Sequence, residues 1–481
     1  MSEALHFQSA TQQLAALRQG RIGARELLEH YLARVDRLNP TINAVVVEDR
    51  VRARTWADQA DAAQVRGESL GPLHGLPMTL KESFDWTGTP ATWGIPEWKD
   101  RLASTDALAV QRLHAAGVNV YGKTNVPIRL ADFQSYNAIY GTTENPWKLG
   151  ATPGGSSGGS AAALAAGLSA LEIGSDIGGS IRNPAHFCGV FGHKPTWNLL
   201  PMRGHGAALT PTDISVIGPL ARSAFDLELM MRVLALPDEL ETGALRWSLP
   251  VLDQPLSGLR VALWDHEAIC PPSAEVRAHV KAVAQGLAQQ GARVDDQARP
   301  QFSAEHSHET FEALLASAMA ARIPQADFDR MRAIAEAAPA SDQSPLARQA
   351  RWQTMSAREW GQRNEARTAL RWAWHRFFQQ FDVLVTPIMP TTAFAHDHGS
   401  PGKRRIRIDG EEHPYFCQTF WAGLAGVSLL PATVIPGGLS AEGLPIGVQL
   451  IGPAYSDLKL IQIAQRLEQL GFAFRSPPGM D

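Results

Sequence analysis

What most constrains the fold is a recurring alternation in which short apolar runs of strand length are separated by segments with helical spacing. Val118-Asn119-Val120-Tyr121, residues 169–175, Leu259–Trp264 and Asp382–Thr386 are the clearest such runs. The pattern predicts an α/β fold with a large, centrally placed sheet. Residues 9–38 read as helices because Leu14, Leu17, Leu27, Leu28, Tyr31, Leu32, Val35 and Leu38 recur three and four apart, and Pro40 is expected to end the run. Asn43–Val47 reads as a strand and 50–67 as a polar helix. Leu76-Pro77-Met78-Thr79-Leu80-Lys81 reads as a short buried strand with Lys81 at its exit. Ser104 or Thr105 is expected to cap a helix through Ala107, Val110, Leu113 and Ala116. Residues 157–167 are small and helix-favouring. Between 300 and 380 the pattern is helical and rich in Ala and Arg, with Trp352, Trp360, Trp372 and Trp374 scattered through it.

Composition removes several function classes. The 481 residues are 44% hydrophobic and 19% charged, enough to bury a large core. A net charge of −4, from 44 basic and 48 acidic residues, gives no electrostatic footprint for nucleic acid. The first residues, Met1 to Gln8, lack a basic stretch followed by an apolar run, and no segment is apolar for the length of a bilayer. No membrane partner is therefore expected, and the cytoplasm is the expected compartment. Cys188, Cys270 and Cys417 are widely separated and read as free buried thiols. There is no H-E-x-x-H motif, and His306-Ser307-His308 has no companion cluster, so no metal site is expected.

Two expressions match without their context. Gly117-Val118-Asn119-Val120-Tyr121-Gly122-Lys123-Thr124 fits G-x-x-x-x-G-K-[ST], which would make the chain a nucleotide-binding protein. A phosphate loop follows a strand and opens a helix, whereas here the intervening residues look like the strand itself. Gly154-Gly155-Ser156-Ser157-Gly158-Gly159 satisfies G-x-S-x-G twice, which reflects glycine richness more than a nucleophile elbow. That elbow also needs a histidine partner, and His186, His193 and His205 are candidates with nothing to single one out.

Three segments carry chemistry together: Thr79-Leu80-Lys81-Glu82-Ser83, Pro153 to Ser160, and Gly174-Ser175-Asp176-Ile177-Gly178-Gly179-Ser180-Ile181-Arg182. In these, in Cys188 to Thr196, in Ile217 to Ser223 and in Leu444 to Gly452, the chain resembles the amidase signature family. The resemblance covers most of the chain. It implies a single domain, 1–481, built on a large mixed β-sheet flanked by helices on both faces. Within it we expect an N-terminal helical part over 1–70, a signature core over 71–230, and a variable helical segment over the substrate pocket at 300–380.

The resemblance also implies a cofactor-free Ser-Ser-Lys mechanism. By motif, Ser180 is the nucleophile, Ser156, following a cis peptide bond, the proton relay, and Lys81 the base. The chemistry is intelligible on its own terms, because a serine hydroxyl attacks only when a neighbouring base takes its proton, and lysine can do so only when neutral. Burial lowers a lysine pKa from about 10.4, and the apolar Leu76, Met78 and Leu80 beside Lys81 agree with that role. Backbone N–H groups of Ile177, Gly178, Gly179 and Ser180 are expected to receive the developing oxyanion. Ser157, Asp176 and Arg182 are expected to support the loops.

The triad does not choose the substrate. The expected activity is hydrolysis of C–N bonds in amides, on a small aryl or hydrophobic acyl amide. A carbamate (urethane) or aryl-ester hydrolase and an amidotransferase A-type subunit remain alternatives. Ile177, where the transamidating subunits usually carry threonine, and the divergent segment 128–137 favour a free-standing amidase. Pocket residues are sought among 128–140, with Gln134 and Tyr136 foremost, and at Trp352, Trp360, Phe416 and Trp421. A monomer or homodimer is expected.

Overall fold

The computed structural model describes residues 4–480. Helices α1 (Ala10–Arg18) and α2 (Ala24–Ile42) lead into strand β1 (Val45–Glu48) and helix α3 (Arg50–Val65). Contrary to expectation, α2 runs through Pro40. The fixed φ of proline suits a helix, and its missing N–H removes only one bond near the end. The stop is Asn43, left-handed at φ 52°, while the Asn39 side chain accepts the N–H groups of Ala44 and Val45.

Strand β2 (Pro77–Lys81), helix α4 (Leu108–Ala115) and strand β3 (Asn119–Thr124) follow. Helix α4 begins after Ala107 without a side-chain cap, not at Ser104 or Thr105. Backbone donors at its start reach neighbouring loops instead: Ala107 N–H to Asp85 O and Leu108 N–H to Arg203 O. A three-stranded sheet has the order β1-β3-β2, with β2 parallel and β1 antiparallel to β3. Gly122, Lys123 and Thr124 of the phosphate-loop expression thus lie within β3 itself, where Lys123 is buried and donates to Pro90 O.

After a short pair, β4 (Tyr136–Asn137) and β5 (Gly141–Thr142), come α5 (Gly158–Ala165), β6 (Glu172–Asp176), α6 (Arg182–Cys188), β7 (Phe191–Lys194), β8 (Val216–Ala221) and α7 (Ala224–Leu234). The chain continues through β9 (Arg260–Leu263), α8 (Ala274–Gln289) and β10 (Arg293–Asp295). Four helices then follow in succession: α9 (Ala304–Ala320), α10 (Gln325–Ala337), α11 (Pro345–Gln353) and α12 (Ala357–Phe377). Strand β11 (Val383–Thr386), hairpin β12 (Arg405–Ile408) and β13 (Glu411–Pro414), helix α13 (Thr419–Val427), strands β14 (Ala432–Leu439) and β15 (Pro445–Ile451), and helix α14 (Asp457–Gln469) complete it.

The main sheet has eight strands in the order β10-β9-β11-β15-β14-β7-β8-β6. Its β10-β9-β11 end is parallel, and every later pairing is antiparallel. Successive residues of a strand point to opposite faces. Val261, Val383, Val385, Val448 and Leu450 accordingly join one core with α7, α8 and α14, while Ala262, Leu384 and Ile451 join another with Trp374, Phe420 and Trp421. Helices therefore cover both faces of a mixed α/β sheet. Strand β2 lies beside the edge strand β6: Thr79 donates to Glu172, and Lys81 reaches Ser175. The side chain of Lys81 is thereby carried from one sheet to the margin of the other.

Candidate active site

Lys81 ends β2 in a setting with no exposed surface. Its Nζ lies 2.7 Å from Ser156 Oγ, 2.9 Å from Ser157 Oγ, 2.9 Å from Ser175 Oγ and 3.4 Å from Ser175 O. All four neighbours are uncharged oxygens. Burial pushes the lysine well below its ordinary pKa, and the charge of Asp176 opposes this. A neutral amine has two hydrogens to donate and a lone pair that accepts from a hydroxyl, which matches the three serine hydroxyls at 2.7 to 2.9 Å.

The loop before α5 brings Ser156 and Ser157 to this amine, β6 brings Ser175, and the loop after β6 carries Ser180. The Gly155–Ser156 peptide bond is cis, as the family resemblance implies. Gly155 is needed there, since a Cβ would meet the carbonyl oxygens of Asp132 and Gln134. The loops are stitched together: Gly155 N–H donates to Asn183 Oδ1 (3.0 Å), Asn183 donates back to Gly155 O, and Ser157 N–H donates to Ser180 O (3.1 Å). Exposure grades outward, from 0% at Lys81 through 1% at Ser156 to 6% at Ser180. Of these three, Ser180 is the most exposed.

The loop bearing Ser180 is wound around Asp176. Gly179 N–H donates to Asp176 Oδ1 (2.9 Å) and Ile181 N–H to Oδ2 (3.1 Å). Arg182 closes the ring, Nη2 to Oδ1 at 2.8 Å and Nε to Oδ2 at 2.9 Å, with both side chains fully buried. It also donates to Ala422 O and Gln449 Oε1. Burial raises the Asp176 pKa, but the guanidinium outweighs it and holds the carboxyl at about 2. Gly179 N–H, expected among the oxyanion donors, is thus already committed. Those of Ile177, Gly178 and Ser180 have no acceptor among the described residues.

The surroundings of this loop are apolar. Ile177, Leu315 and Trp360 pack against the buried cluster that holds Phe311, and Leu315 lies 3.9 Å from where a Cβ on Gly178 would stand. Ala422 and Phe133 face Gly179, and Phe133 stacks at a tilt on half-exposed Phe416, 6.3 Å between centroids.

The other residues sought as substrate contacts lie elsewhere in the network. Gln134 spends its amide on both backbone groups of Asp397, at 2.7 and 2.9 Å. Tyr136 accepts from Arg404 (2.6 Å) and stacks on His398. Trp421 is fully buried and donates to Cys270 O (2.9 Å). Trp352 faces a separate cavity beneath Arg348. Ser175, Asn183, Phe133 and Leu315 are part of the site, yet single residues of these types carry no periodic or motif signal of their role. His186 and His193 are buried against other partners, Gly447 and Thr391 for the first, Thr433 and Asp457 for the second.

Comparisons with known proteins bear on the fold and the family. The model of the family described as amidase matches residues 26–461. The A-type subunit of a glutamyl-tRNA(Gln) amidotransferase from Synechococcus sp. is 33% identical over 491 residues, 96% of each chain. An indoleacetamide hydrolase of Bradyrhizobium diazoefficiens is also 33% identical, covering 96% of this chain and 86% of its own. Among solved structures, an inhibitor-bound protein complex bearing on the evolutionary origins of an s-triazine catabolic enzyme superposes with a TM-score of 0.83. It is 30% identical and covers 97% of this chain and 99% of its own. Three glycine-serine and lysine segments converging at the edge of a mixed sheet, with a family match over most of the sequence, place this chain in the amidase signature family.

Proposed function

We propose that the protein is an amidohydrolase that cleaves amide C–N bonds through an acyl-enzyme on Ser180. Ser180 Oγ attacks the substrate carbonyl carbon. Its proton passes to Ser156 Oγ as Ser156 gives its own to Lys81 Nζ. The lysine then returns that proton through Ser156 to the departing nitrogen, leaving an ester on Ser180. Water reverses the sequence and releases the acid. The observation that carries this reading is the 2.7 Å separation between Ser156 Oγ and a fully buried, pKa-lowered Lys81 Nζ.

The oxyanion falls to the N–H groups of Ile177, Gly178 and Ser180, while Asp176 holds that of Gly179 and so fixes the loop's shape. Donors fixed before the reaction cost no reorganisation when charge appears. The acyl group lies against Ile177, Leu315, Phe133 and Phe416, and such a wall suits an aryl or other hydrophobic acyl amide. The same route opens carbamates and aryl esters.

Service within an amidotransferase is the second reading, favoured by relatives of that description at 33% identity over 96% of the chain. One experiment separates them. The purified chain is offered aliphatic, aryl and fatty-acyl amides, carbamates, aryl esters and glutamine, beside Ser180→Ala and Lys81→Ala. Turnover of an aryl or hydrophobic amide by the chain alone, lost in both variants, supports the amidohydrolase. Activity confined to glutamine and requiring a partner contradicts it.

A further inference from the structure

Trp352 lies in a cavity of its own. Helices α9, α11 and α12 and the loop before α11 enclose about 260 Å³, lined by Glu309, Gln343, Arg348, Arg351, Trp352 and Arg363. None of these belongs to the Lys81–Ser180 cluster. The lining is almost entirely polar, and its charge is unbalanced. Arg363 pairs with Glu309 at 2.9 Å, and Arg348 reaches past the lining to Glu312 at 2.9 Å. Arg351 makes no ion pair within 4 Å among the described residues; it donates to the carbonyl oxygens of Pro339 and Asp342, and the Asp342 carboxyl is near enough to feel its charge. The lining itself therefore holds three guanidiniums and one carboxylate, with the carboxyl groups of Glu312 and Asp342 behind it.

The donors are also incompletely used. Arg348 lies 4.8 Å over the Trp352 ring with its Nε buried and without an acceptor. Arg348 and Arg351 are three residues apart on α11 and so share a face, with Arg363 opposite on α12. Excess positive charge in a concave site concentrates anions. Guanidinium forks match the oxygens of phosphate and carboxylate, and three converging forks are better filled by the three or more oxygens of a phosphate than by the two of a carboxylate. The space exceeds several times the roughly 30 Å³ share of one water in the liquid, leaving room for a substituent.

We propose that this cavity binds a phosphate group, free or as the monoester of a small metabolite, through Arg348, Arg351 and Arg363. Glu309 stands in the lining but is neutralised by Arg363. The bound anion ties α11 and α12 to α9, the helix whose Leu315 approaches the 177–180 loop.

The test is calorimetric titration of the full chain at constant ionic strength with inorganic phosphate, ribose 5-phosphate, citrate and chloride. Trp352 emission is followed in parallel by difference from Trp352→Phe. Saturable binding of phosphate or ribose 5-phosphate at one site per chain is expected, weakened about tenfold or more in Arg351→Ala and less in Arg351→Lys. Tighter binding of ribose 5-phosphate assigns the site to an ester, and tighter binding of inorganic phosphate to the free ion. Absence of saturation, a response matched by chloride, tighter binding of citrate than of either phosphate, or unchanged affinity in Arg351→Ala overturns the proposal. Should Arg351→Ala fail to fold, Arg363→Lys supplies the same comparison.

Discussion

Lys81 Nζ and Ser156 Oγ stand 2.7 Å apart, in a place where the lysine is wholly buried and the serine 1% exposed. Every other oxygen within reach of the amine belongs to Ser157 or Ser175, and the carboxylate whose charge it feels, Asp176, is held by Arg182. Desolvation thus outweighs stabilisation of the ammonium, and the free base is the form available for proton transfer.

A pH profile follows from that balance. The active form carries neutral Lys81, so kcat/KM is expected to fall on the acid side as the proton returns. Because burial lowers the folded pKa, the midpoint lies below the ordinary lysine value of about 10.4. Initial rates on a substrate that does not titrate check this. A plateau reached only above about pH 10.4 would mean that the lysine is not shifted.

The two glycines before Ser180 should respond differently. Gly179 has φ +114°, and a Cβ there would stand 3.0 Å from that of Ala422. Gly179→Ala both strains the backbone and displaces the loop held by Asp176. A loss in kcat of about 100-fold or more is expected, as for removal of an oxyanion donor. Gly178 lacks a positive φ and would meet only Leu315 at 3.9 Å. Gly178→Ala should fold normally and keep most of its activity on small amides, as steady-state kinetics and thermal melts of both variants will show.

Asp176 and Arg182 are a buried pair whose separation leaves a lone charge. Asp176→Asn is expected to cost about 3–5 kcal/mol of stability in denaturant titrations near neutral pH. The carboxyl titrates at about 2 instead of its ordinary 3.8. Its contribution is therefore complete above about pH 4 and lost as pH falls through about 2, so wild type and variant should converge across that window.

Leu315 approaches the loop from the helical segment and offers nothing but apolar surface. Leu315→Ala is expected to lower kcat/KM on an aryl or branched acyl amide by about 1–3 kcal/mol, while acetamide-sized substrates change little. Equal losses on both would place the acyl group elsewhere.

How much of this is legible in the sequence depends on how far apart the cooperating residues are. The burial of Lys81 can be read from Leu76, Met78 and Leu80 beside it, and strands such as β9 and β11 from their own apolar runs. The commitment of Gly179 N–H to Asp176 cannot, since the winding of residues 176 to 182 is held by the Arg182 pair together with Ser157 from another loop. Nor can the contacts that consume Gln134 and Tyr136, whose partners Asp397 and Arg404 lie in a distant stretch of the chain. Tryptophans carry the same ambiguity. Trp360 packs against the same cluster as Ile177, whereas Trp374 and Trp421 fill the core beneath α12 and α13, and local sequence treats all three alike.

An acyl or acyl-like bond on Ser180 is read most directly from the mass of the protein after reaction with a sulfonyl fluoride or fluorophosphonate. One adduct per chain is expected, mapped by peptide fragmentation to Ser180, absent in Ser180→Ala and formed far more slowly in Lys81→Ala. An adduct on another residue, or full turnover of amide by a protein that never labels at Ser180, would rule out Ser180 as the nucleophile.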